Sequence, residues 1–236
     1  MKAIQLGSRR YFAHVPRKLP RNPALVVALH AGAQTPEGFE RMTGWSAVAT
    51  RDRFVVAYPE GVERSWNAGN GALGEAGRTG VDDVGFVDAV IRDACARWKC
   101  GRAFLSGFSN GSMLAHWYVS QFPAVVSAAG CVSGGFSRLP VYGLSGSPAD
   151  RIASGIVAPA VRMVHGYQDD HVPFAGGVGP WALDPYDHLP IEQTASWWRG
   201  QGAEVVTEWH ACGHACGHVW PPGEAVRQWE FFRGVG

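Results

Sequence analysis

Short apolar runs alternate with amphipathic stretches along most of the chain. Each run has the length of a strand, and several are continuously apolar, which is typical of parallel strands covered on both faces. The runs predict strands at RRYFAHV (9–15), PALVVALH (23–30), RFVVAYP (53–59), RAFLSG (102–107), VVSAAGCVSG (125–134), VRMVHG (161–166) and VVTEWH (205–210).

In the segments between these runs, apolar residues recur at helical spacing. The stretch VGFVDAVIRDACARW (84–98) shows it most clearly, and Asp82 and Asp83 precede it as residues that favour a helix N-terminus. Further helices are predicted around 45–49 and over 110–123, 190–202 and 224–232. Alternating strands and helices predict one α/β domain over residues 1–236, with a doubly wound, mostly parallel sheet and helices on both faces.

Three segments show no clear periodicity of hydrophobic residues and are expected to be loops: 61–80, 134–158 and 173–190. Long loops in compact domains often carry function, so we expect them to shape a binding pocket. Residues 134–158 are candidates for a small cap over a site.

Composition excludes several classes of protein. The 236 residues are 46% hydrophobic and 17% charged, enough for a substantial core, and the net charge of +1 with no Lys/Arg run argues against nucleic-acid or membrane-surface partners. No apolar run is long enough to cross a bilayer, and the N-terminus has no secretory signal. We expect a cytoplasmic protein if the chain is complete and a secreted one if a signal peptide has been removed. Nothing in the sequence indicates the oligomeric state.

The most informative string is Gly107-Phe108-Ser109-Asn110-Gly111, which fits G-x-S-x-G between a predicted strand and a predicted helix. At such an elbow a serine adopts a strained backbone conformation that exposes its hydroxyl, and glycines two residues away avoid clashes. The alternative is an ordinary Gly-rich turn with a capping serine. The strand and helix flanks favour Ser109 as a nucleophile.

A nucleophilic serine needs a histidine to take its proton and a carboxylate to orient that histidine. Asp169 and Asp170 follow the predicted strand 161–166, and His214 and His218 follow the strand 205–210. The order Ser, Asp, His is that of α/β-hydrolases. From position alone, either aspartate and either histidine could complete the set.

The chain resembles the α/β-hydrolase esterases that include polyhydroxybutyrate depolymerases, feruloyl esterases and acetylxylan esterases (LpqC-like esterases). The resemblance runs from about residue 10 to 223 and rests on an ordered set of strings: LHAGAQTPEGF, YPEGVERSWNAGNG, GVDDVGF, GFSNGSML, HGYQDDHVPF and GHVWPPG. It implies an α/β-hydrolase fold and a triad of Ser109 as nucleophile, Asp169 rather than Asp170 as acid, and His218 as general base. The cysteine pair that some secreted relatives carry after Asn-Ala-Gly is replaced here by GALGEA.

The oxyanion of an ester hydrolase needs preformed N–H donors. The backbone of Asn110, next to the nucleophile, is expected to supply one. Relatives carry H-G and a small residue after the strand 23–30, and the equivalent string here begins His30-Ala31-Gly32. We therefore expect the second donor at Gly32, with Ala31 as the alternative.

Aromatic residues on the predicted loops are candidates for the substrate pocket: Trp66, Phe174 and Trp181, with Asn67 beside the first. For Trp66 and Asn67 a packed structural role is the alternative. Asp82 and Asp83 are expected to cap a helix rather than to catalyse. His165 is expected to be a structural residue at a strand end, and His14, His116 and His188 to be ordinary surface or core histidines. Cys131 is expected to be a buried thiol.

Alternating His and Cys from His210 to His218 raise zinc as a rival, since zinc prefers these ligands. These His and Cys residues occupy every second position, a spacing that does not match common structural zinc patterns. No metal site is therefore predicted. Cys212 and Cys216 could alternatively pair if oxidised.

The sequence thus predicts a serine carboxylic ester hydrolase that needs no cofactor. Its partner is expected to be a small or oligomeric ester: a short hydroxyalkanoate, feruloyl or acetyl ester. The alternatives are an acyltransferase or peptidase using the same triad, an inactive binding protein of the same fold, and a zinc-dependent hydrolase.

Overall fold

The computed structural model describes residues 1–69, 74–137, 158–183, 186–211 and 216–236. An eight-stranded sheet runs through these residues in the order β1-β2-β4-β3-β5-β6-β7-β8. β1 and β2 are antiparallel to their neighbours, and every pair from β4 to β8 is parallel. The strands are β1 (Lys2–Leu6), β2 (Arg9–His14), β3 (Ala24–Leu29), β4 (Val55–Pro59), β5 (Arg102–Phe108), β6 (Ala128–Val132), β7 (Ala160–Gly166) and β8 (Val205–His210).

Helices cover both faces of this sheet. In the described ranges they are α1 (Pro36–Thr43), α2 (Trp45–Asp52), α3 (Gly74–Thr79), α4 (Asp83–Trp98), α5 (Asn110–Gln121), α6 (Ile191–Gly200) and α7 (Glu224–Gly234). None of these helices has the length and apolarity needed to span a membrane.

The core consists of two apolar layers separated by the sheet. Along β3, Leu25, Val27 and Leu29 pack with α4, α5 and α6, whereas Val26 and Ala28 pack with α1, α2 and α7. Successive side chains of a strand point to opposite faces, so a strand covered on both faces must be apolar at every position. The continuous apolar runs of the sequence therefore follow from the parallel sheet. Cys131 is buried in the first layer, as expected.

The seven predicted strands are all present, with ends shifted by a few residues, and the five predicted helices are present as well. β1 was not predicted, because this edge strand buries only Ile4 of its five residues. α1 was not predicted, and α3 lies within the segment 61–80 that was expected to be a loop. The signal for α1 was available, since Thr35 accepts a hydrogen bond from the N–H of Gly38 and Pro36 begins the helix.

All three expected loops extend outside the described residues, and in the segment 61–80 these are residues 70–73. The candidate cap 134–158 is described only at its two ends, because 138–157 lie outside, and residues 184–185 of the segment 173–190 also lie outside. The chain segments that follow β3, β5, β7 and β8 are described close to the sheet. In a parallel sheet these segments meet at one edge, and ligand sites of α/β folds form there.

Candidate active site

Ser109 lies between the last residue of β5 and the first residue of α5. Its backbone angles are φ 54° and ψ −120°, a conformation that residues other than glycine rarely adopt. A Cβ at Gly107 would collide with the carbonyl group of Gly111, and a Cβ at Gly111 would collide with the carbonyl oxygen of Leu29. Only glycine fits at both positions, so the string has the tight strand-to-helix turn that the motif requires.

Ser109, His218 and Asp169 form a continuous row of hydrogen bonds. Oγ of Ser109 lies 2.9 Å from Nε2 of His218, and Nδ1 of the same ring lies 2.8 Å from Oδ2 of Asp169. With the ring proton on Nδ1, His218 donates to the carboxylate and accepts the serine hydroxyl proton at Nε2. This arrangement suits a histidine that removes a proton from serine.

Asp169 is held for this contact by its own surroundings. Its side chain is buried, and Oδ1 accepts hydrogen bonds from the backbone N–H groups of Val172 at 2.8 Å and His171 at 3.0 Å. Nε2 of His165 lies 3.3 Å from Oδ2. Burial acts to raise the pKa of Asp169, but the hydrogen bond and charge of His218, with His165 and the Val172 N–H, outweigh it and hold the pKa below its ordinary value.

The two adjacent aspartates differ sharply in environment. Asp170 is partly exposed, and its Oδ1 lies 2.7 Å from Nδ1 of His171. His171 in turn stacks on His218, with ring centroids 4.6 Å apart and planes 17° apart. The structure thus brings Asp169, and not Asp170, to the ring of His218. The sequence reasoning gave His171 no role, although its place next to two aspartates was a visible signal.

The far end of the His218 segment is tied to the sheet by a buried ion pair. Arg162 of β7 contacts Glu224, the first residue of α7, with Nε 2.9 Å from Oε1. Arg162 also pairs with Glu208 of β8. Glu224 follows His218 by only a few residues, so this pair anchors the histidine segment to the strand that leads to Asp169.

The candidate oxyanion donors lie beside Ser109. Asn110 begins α5, where backbone N–H groups have no partner within the helix. Ala31 and Gly32 line the cavity at Ser109. The N–H of Ala31 already donates to Oε1 of Gln34 at 3.2 Å, whereas the N–H of Gly32 has no hydrogen-bond partner among the described residues. Of the two alternatives, this arrangement favours Gly32.

His30 fixes the turn that carries this segment. Its Nδ1–H donates to the carbonyl of Ala31 at 2.8 Å, and its Nε2 accepts from the N–H of Gly61 at 3.0 Å. Burial lowers the pKa of His30 to about 4, although its backbone partner and Glu60 oppose this shift. The ring is therefore neutral at neutral pH and has a defined tautomer.

Trp66 and Asn67 do not line the cavity, contrary to expectation. The Trp66 side chain is 0% exposed, and its Nε1–H donates to the carbonyl of His30 at 2.8 Å. The Asn110 side chain pairs with the Trp66 backbone, accepting from its N–H at 2.7 Å and donating to its carbonyl at 3.0 Å. Asn67 bonds Asp83 and Val81. Both residues act as packing and bracing groups.

A cavity of about 250 Å³ opens at Ser109 and His218. Its other lining residues are Ala31, Gly32, Ala33, Gln34, Phe108, Met113, His171, Val172, Ala182, Leu183 and His188. Phe174 and Trp181 are not among them. Phe174 packs on Tyr167 and Trp209, and Trp181 is 69% exposed.

Asp82, Asp83 and His165 were expected to have structural roles. Asp82 caps α4 through the N–H of Gly85 at 2.8 Å, as predicted, but Asp83 is buried and pairs with Arg9 at 2.6 Å instead. Burial raises the pKa of Asp83 despite that partner. His165 is the second-last residue of β7, and its Nε2–H donates to the carbonyl of Val172 at 2.8 Å, which fits a structural role.

Of the His and Cys residues between 210 and 218, Cys212 and His214 lie outside the described residues. His210 lies near Glu208, and Sγ of Cys216 lies 3.2 Å from Oε1 of Gln168. In the described part of the chain, one group of three potential ligands lies close together: Asp169, His171 and His218. Two of these already belong to the row that ends at Ser109.

Comparison with known proteins gives a consistent family assignment. A family model described as "Esterase PHB depolymerase" matches residues 11–143. Poly(3-hydroxyalkanoate) depolymerase C of Paucimonas lemoignei is 29% identical over 136 residues, covering 55% of this chain and 32% of the relative. Feruloyl esterase B of Neurospora crassa is 28% identical over 129 residues, covering 53% and 44%. The chain thus spans less than half the length of these two relatives.

A solved structure extends the likeness to almost the whole chain. The acetyl xylan esterase from Aspergillus awamori superposes with a TM-score of 0.64 at 17% identity, covering 95% of this chain and 94% of that one. At this identity the likeness shows a shared fold, the α/β-hydrolase fold expected from the sequence. The family match includes Ser109 but ends before Asp169 and His218.

Proposed function

The chain belongs to the esterase PHB depolymerase family, and we propose that it is a carboxylic ester hydrolase in which Ser109, His218 and Asp169 form the catalytic triad. The observation that carries the proposal is the continuous hydrogen-bonded row from Oγ of Ser109 through His218 to a buried, ionised Asp169. The strained backbone of Ser109, which exposes its hydroxyl to the cavity, supports it further.

In the acylation step, Oγ of Ser109 attacks the carbonyl carbon of the ester while Nε2 of His218 takes the hydroxyl proton. The carbonyl oxygen becomes an oxyanion, for which the backbone N–H groups of Asn110 and Gly32 are the proposed donors. Asp169 remains ionised and stabilises the imidazolium. The C–O bond to the alcohol then breaks, the alcohol takes the proton from Nε2, and an acyl-serine remains.

Deacylation repeats these steps with water. Nε2 of His218 takes a proton from a water molecule, the resulting oxygen nucleophile attacks the acyl-serine, and the bond to Oγ breaks. Ser109 recovers its proton from His218 and the carboxylic acid leaves. No step requires a cofactor, so only groups of the chain and water take part.

The proposed substrates are short hydroxyalkanoate, feruloyl or acetyl esters. The names of the relatives support these classes, and the cavity of about 250 Å³ supports a small acyl group. Its walls are mostly apolar, with Phe108, Met113, Val172 and Leu183 among them. We propose a small-molecule or oligomeric ester as the partner.

The test is hydrolysis of p-nitrophenyl esters from acetyl to octanoyl, with methyl ferulate and a hydroxybutyrate oligomer. The wild type and Ser109→Ala are compared at equal concentration. Turnover by the wild type that Ser109→Ala loses supports the proposal, and the ranking of the esters assigns the subclass. Equal rates for both proteins, or none for either, would contradict it. Added alcohol or amine acceptors that outcompete water would instead indicate an acyltransferase.

A further inference from the structure

His188 lies in the wall of the cavity that contains Ser109 and His218, on the segment before α6. It is only 2% exposed. Its backbone is fixed by two hydrogen bonds to Gly177, as donor at 3.0 Å and as acceptor at 2.9 Å, and the Tyr186 ring packs against it with centroids 4.5 Å apart. The ring therefore has a defined position beside the reacting groups.

Neither ring nitrogen of His188 makes a hydrogen bond within the described ranges, and Nδ1 is buried without a partner. Buried polar groups of folded proteins are nearly always paired, so an unpaired one calls for a reason. Two other buried histidines each use one ring nitrogen: His116 accepts from Nε1 of Trp198, and His165 contacts the Val172 carbonyl. Neither of those two lines the cavity.

The charge of His188 limits what it can bind. Burial lowers the pKa of His188 to about 4, and His165 and His218 act in the same direction while Asp169 and Asp187 oppose them. At neutral pH the ring is neutral, with one N–H donor and one acceptor. A hydroxyl group, which both donates and accepts, matches it, whereas a carboxylate ligand would lack a positive partner.

We infer that His188 is a specificity-determining residue that hydrogen-bonds a hydroxyl group on the acyl part of the ester. The acyl part is the one that stays bound to Ser109, and His188 shares the small cavity with Ser109 and the candidate oxyanion donors Ala31 and Gly32. The inference rests on the proposed function and narrows it to hydroxyacyl esters. A site built for a substrate hydroxyl discriminates against the analogue that lacks it, because its own polar group is then left unpaired.

The experiment compares kcat/KM for methyl 3-hydroxybutyrate and methyl butyrate, which share a leaving group and differ by one hydroxyl. The wild type is expected to prefer the hydroxy ester by about tenfold, the effect of one net hydrogen bond. In His188→Phe the ratio should fall to about one through loss on the hydroxy ester, and His188→Gln should restore part of it. His14→Phe is the matched control, because His14 lies on β2 with its ring at Thr50.

Folding and function are checked separately. His188→Phe removes a buried nitrogen that has no partner among the residues the structure describes, so the melting temperature should not fall. If it does fall, His188→Gln carries the test. A wild type that turns over both esters equally, or a His188→Phe variant that keeps the preference, would overturn the inference while leaving the esterase proposal intact. Failure of the esterase proposal has a different signature: hydrolysis of neither ester depends on Ser109, and the inference falls with it.

Discussion

Oδ2 of Asp169 lies 2.8 Å from Nδ1 of His218, and Oδ1 of the same carboxylate lies 3.0 Å from it. Asp170, the next residue, points to His171 instead. Adjacent aspartates of identical chemistry thus have different partners. The difference arises because the N–H groups of His171 and Val172 hold the Asp169 carboxylate in place.

The first prediction uses this pair of aspartates as a matched test. Asp169→Asn is expected to lower kcat by about 10³- to 10⁴-fold, because the amide no longer fixes the His218 tautomer or stabilises its charged form. KM should change little. Asp170→Asn should retain activity within about twofold, since Asp170 is partly exposed and contacts His171 rather than His218. Steady-state kinetics on a short p-nitrophenyl ester measures both, and a larger loss in the Asp170 variant would contradict the assignment.

The second prediction concerns the glycine at the serine elbow. Gly111→Ala is expected to lower stability and activity together, because its Cβ would collide with the carbonyl oxygens of Leu29 and His30. Gly200→Ala is the control. Its Cβ would meet no atom within 4 Å at the end of α6, so the change should be neutral or stabilising by up to about 1 kcal/mol. Urea denaturation and ester hydrolysis report both effects; a Gly111→Ala protein with wild-type values would refute the tight turn.

The third prediction separates Trp66 from the substrate pocket. Trp66→Phe removes the hydrogen bond to the carbonyl of His30 and leaves that buried group unpaired, which should cost about 1–3 kcal/mol of unfolding free energy. Because the ring does not line the cavity, KM values across an ester series should keep their order. A changed order of acyl preference, with stability unaltered, would show instead that Trp66 contacts substrate.

The fourth prediction follows from three buried histidines, His30, His116 and His188, whose pKa values burial lowers to about 4. Between about pH 6.5 and 4 the unfolded chain binds protons at these positions that the folded chain does not, so stability rises with pH across this window and is lost as pH falls. Each such histidine contributes about 2–3 kcal/mol to the loss by pH 4.

The measurement is the unfolding free energy from urea titrations between pH 7 and 4, for the wild type and His188→Phe. The variant removes one of the three groups, so its stability should fall less steeply with decreasing pH. Parallel curves for the two proteins would show that His188 takes up its proton equally in both states.

Much of the fold could be predicted from the sequence. A strand buried on both faces has a continuous apolar run, as in 23–30, and a helix packed on one face has apolar residues at helical spacing, as in 84–98. Elements with a weak burial pattern were missed: β1 buries one residue, and α3 has six residues inside a Gly-rich stretch. The hydrophobic pattern of an element reflects how many of its residues are buried in the core, and these two elements bury few.

The closeness of Ser109, Asp169 and His218 in the structure agrees with the sequence: the strand-to-helix motif indicates Ser109, and the family resemblance selects Asp169 and His218 from their neighbours. The site was not predictable where the path of a loop decides which side chains face the cavity. His188 carries no sequence signal for that, and His171 carries only its place next to two aspartates. The aromatic residues expected in the pocket do not line it: Trp66 is buried by its bonds to His30 and Asn110, and Phe174 packs on Tyr167. These positions depend on tertiary contacts between distant segments.

The most direct test of the central claim is covalent labelling of the nucleophile. An alkyl fluorophosphonate is incubated with the wild type, Ser109→Ala and His218→Ala, and the labelled residue is identified by peptide mass spectrometry. We expect one adduct on Ser109 in the wild type and none in Ser109→Ala. Labelling should be slowed by about 10³-fold or more in His218→Ala, which lacks the group that takes the serine proton. An adduct on another residue, or labelling of Ser109 at the same rate without His218, would contradict the central claim.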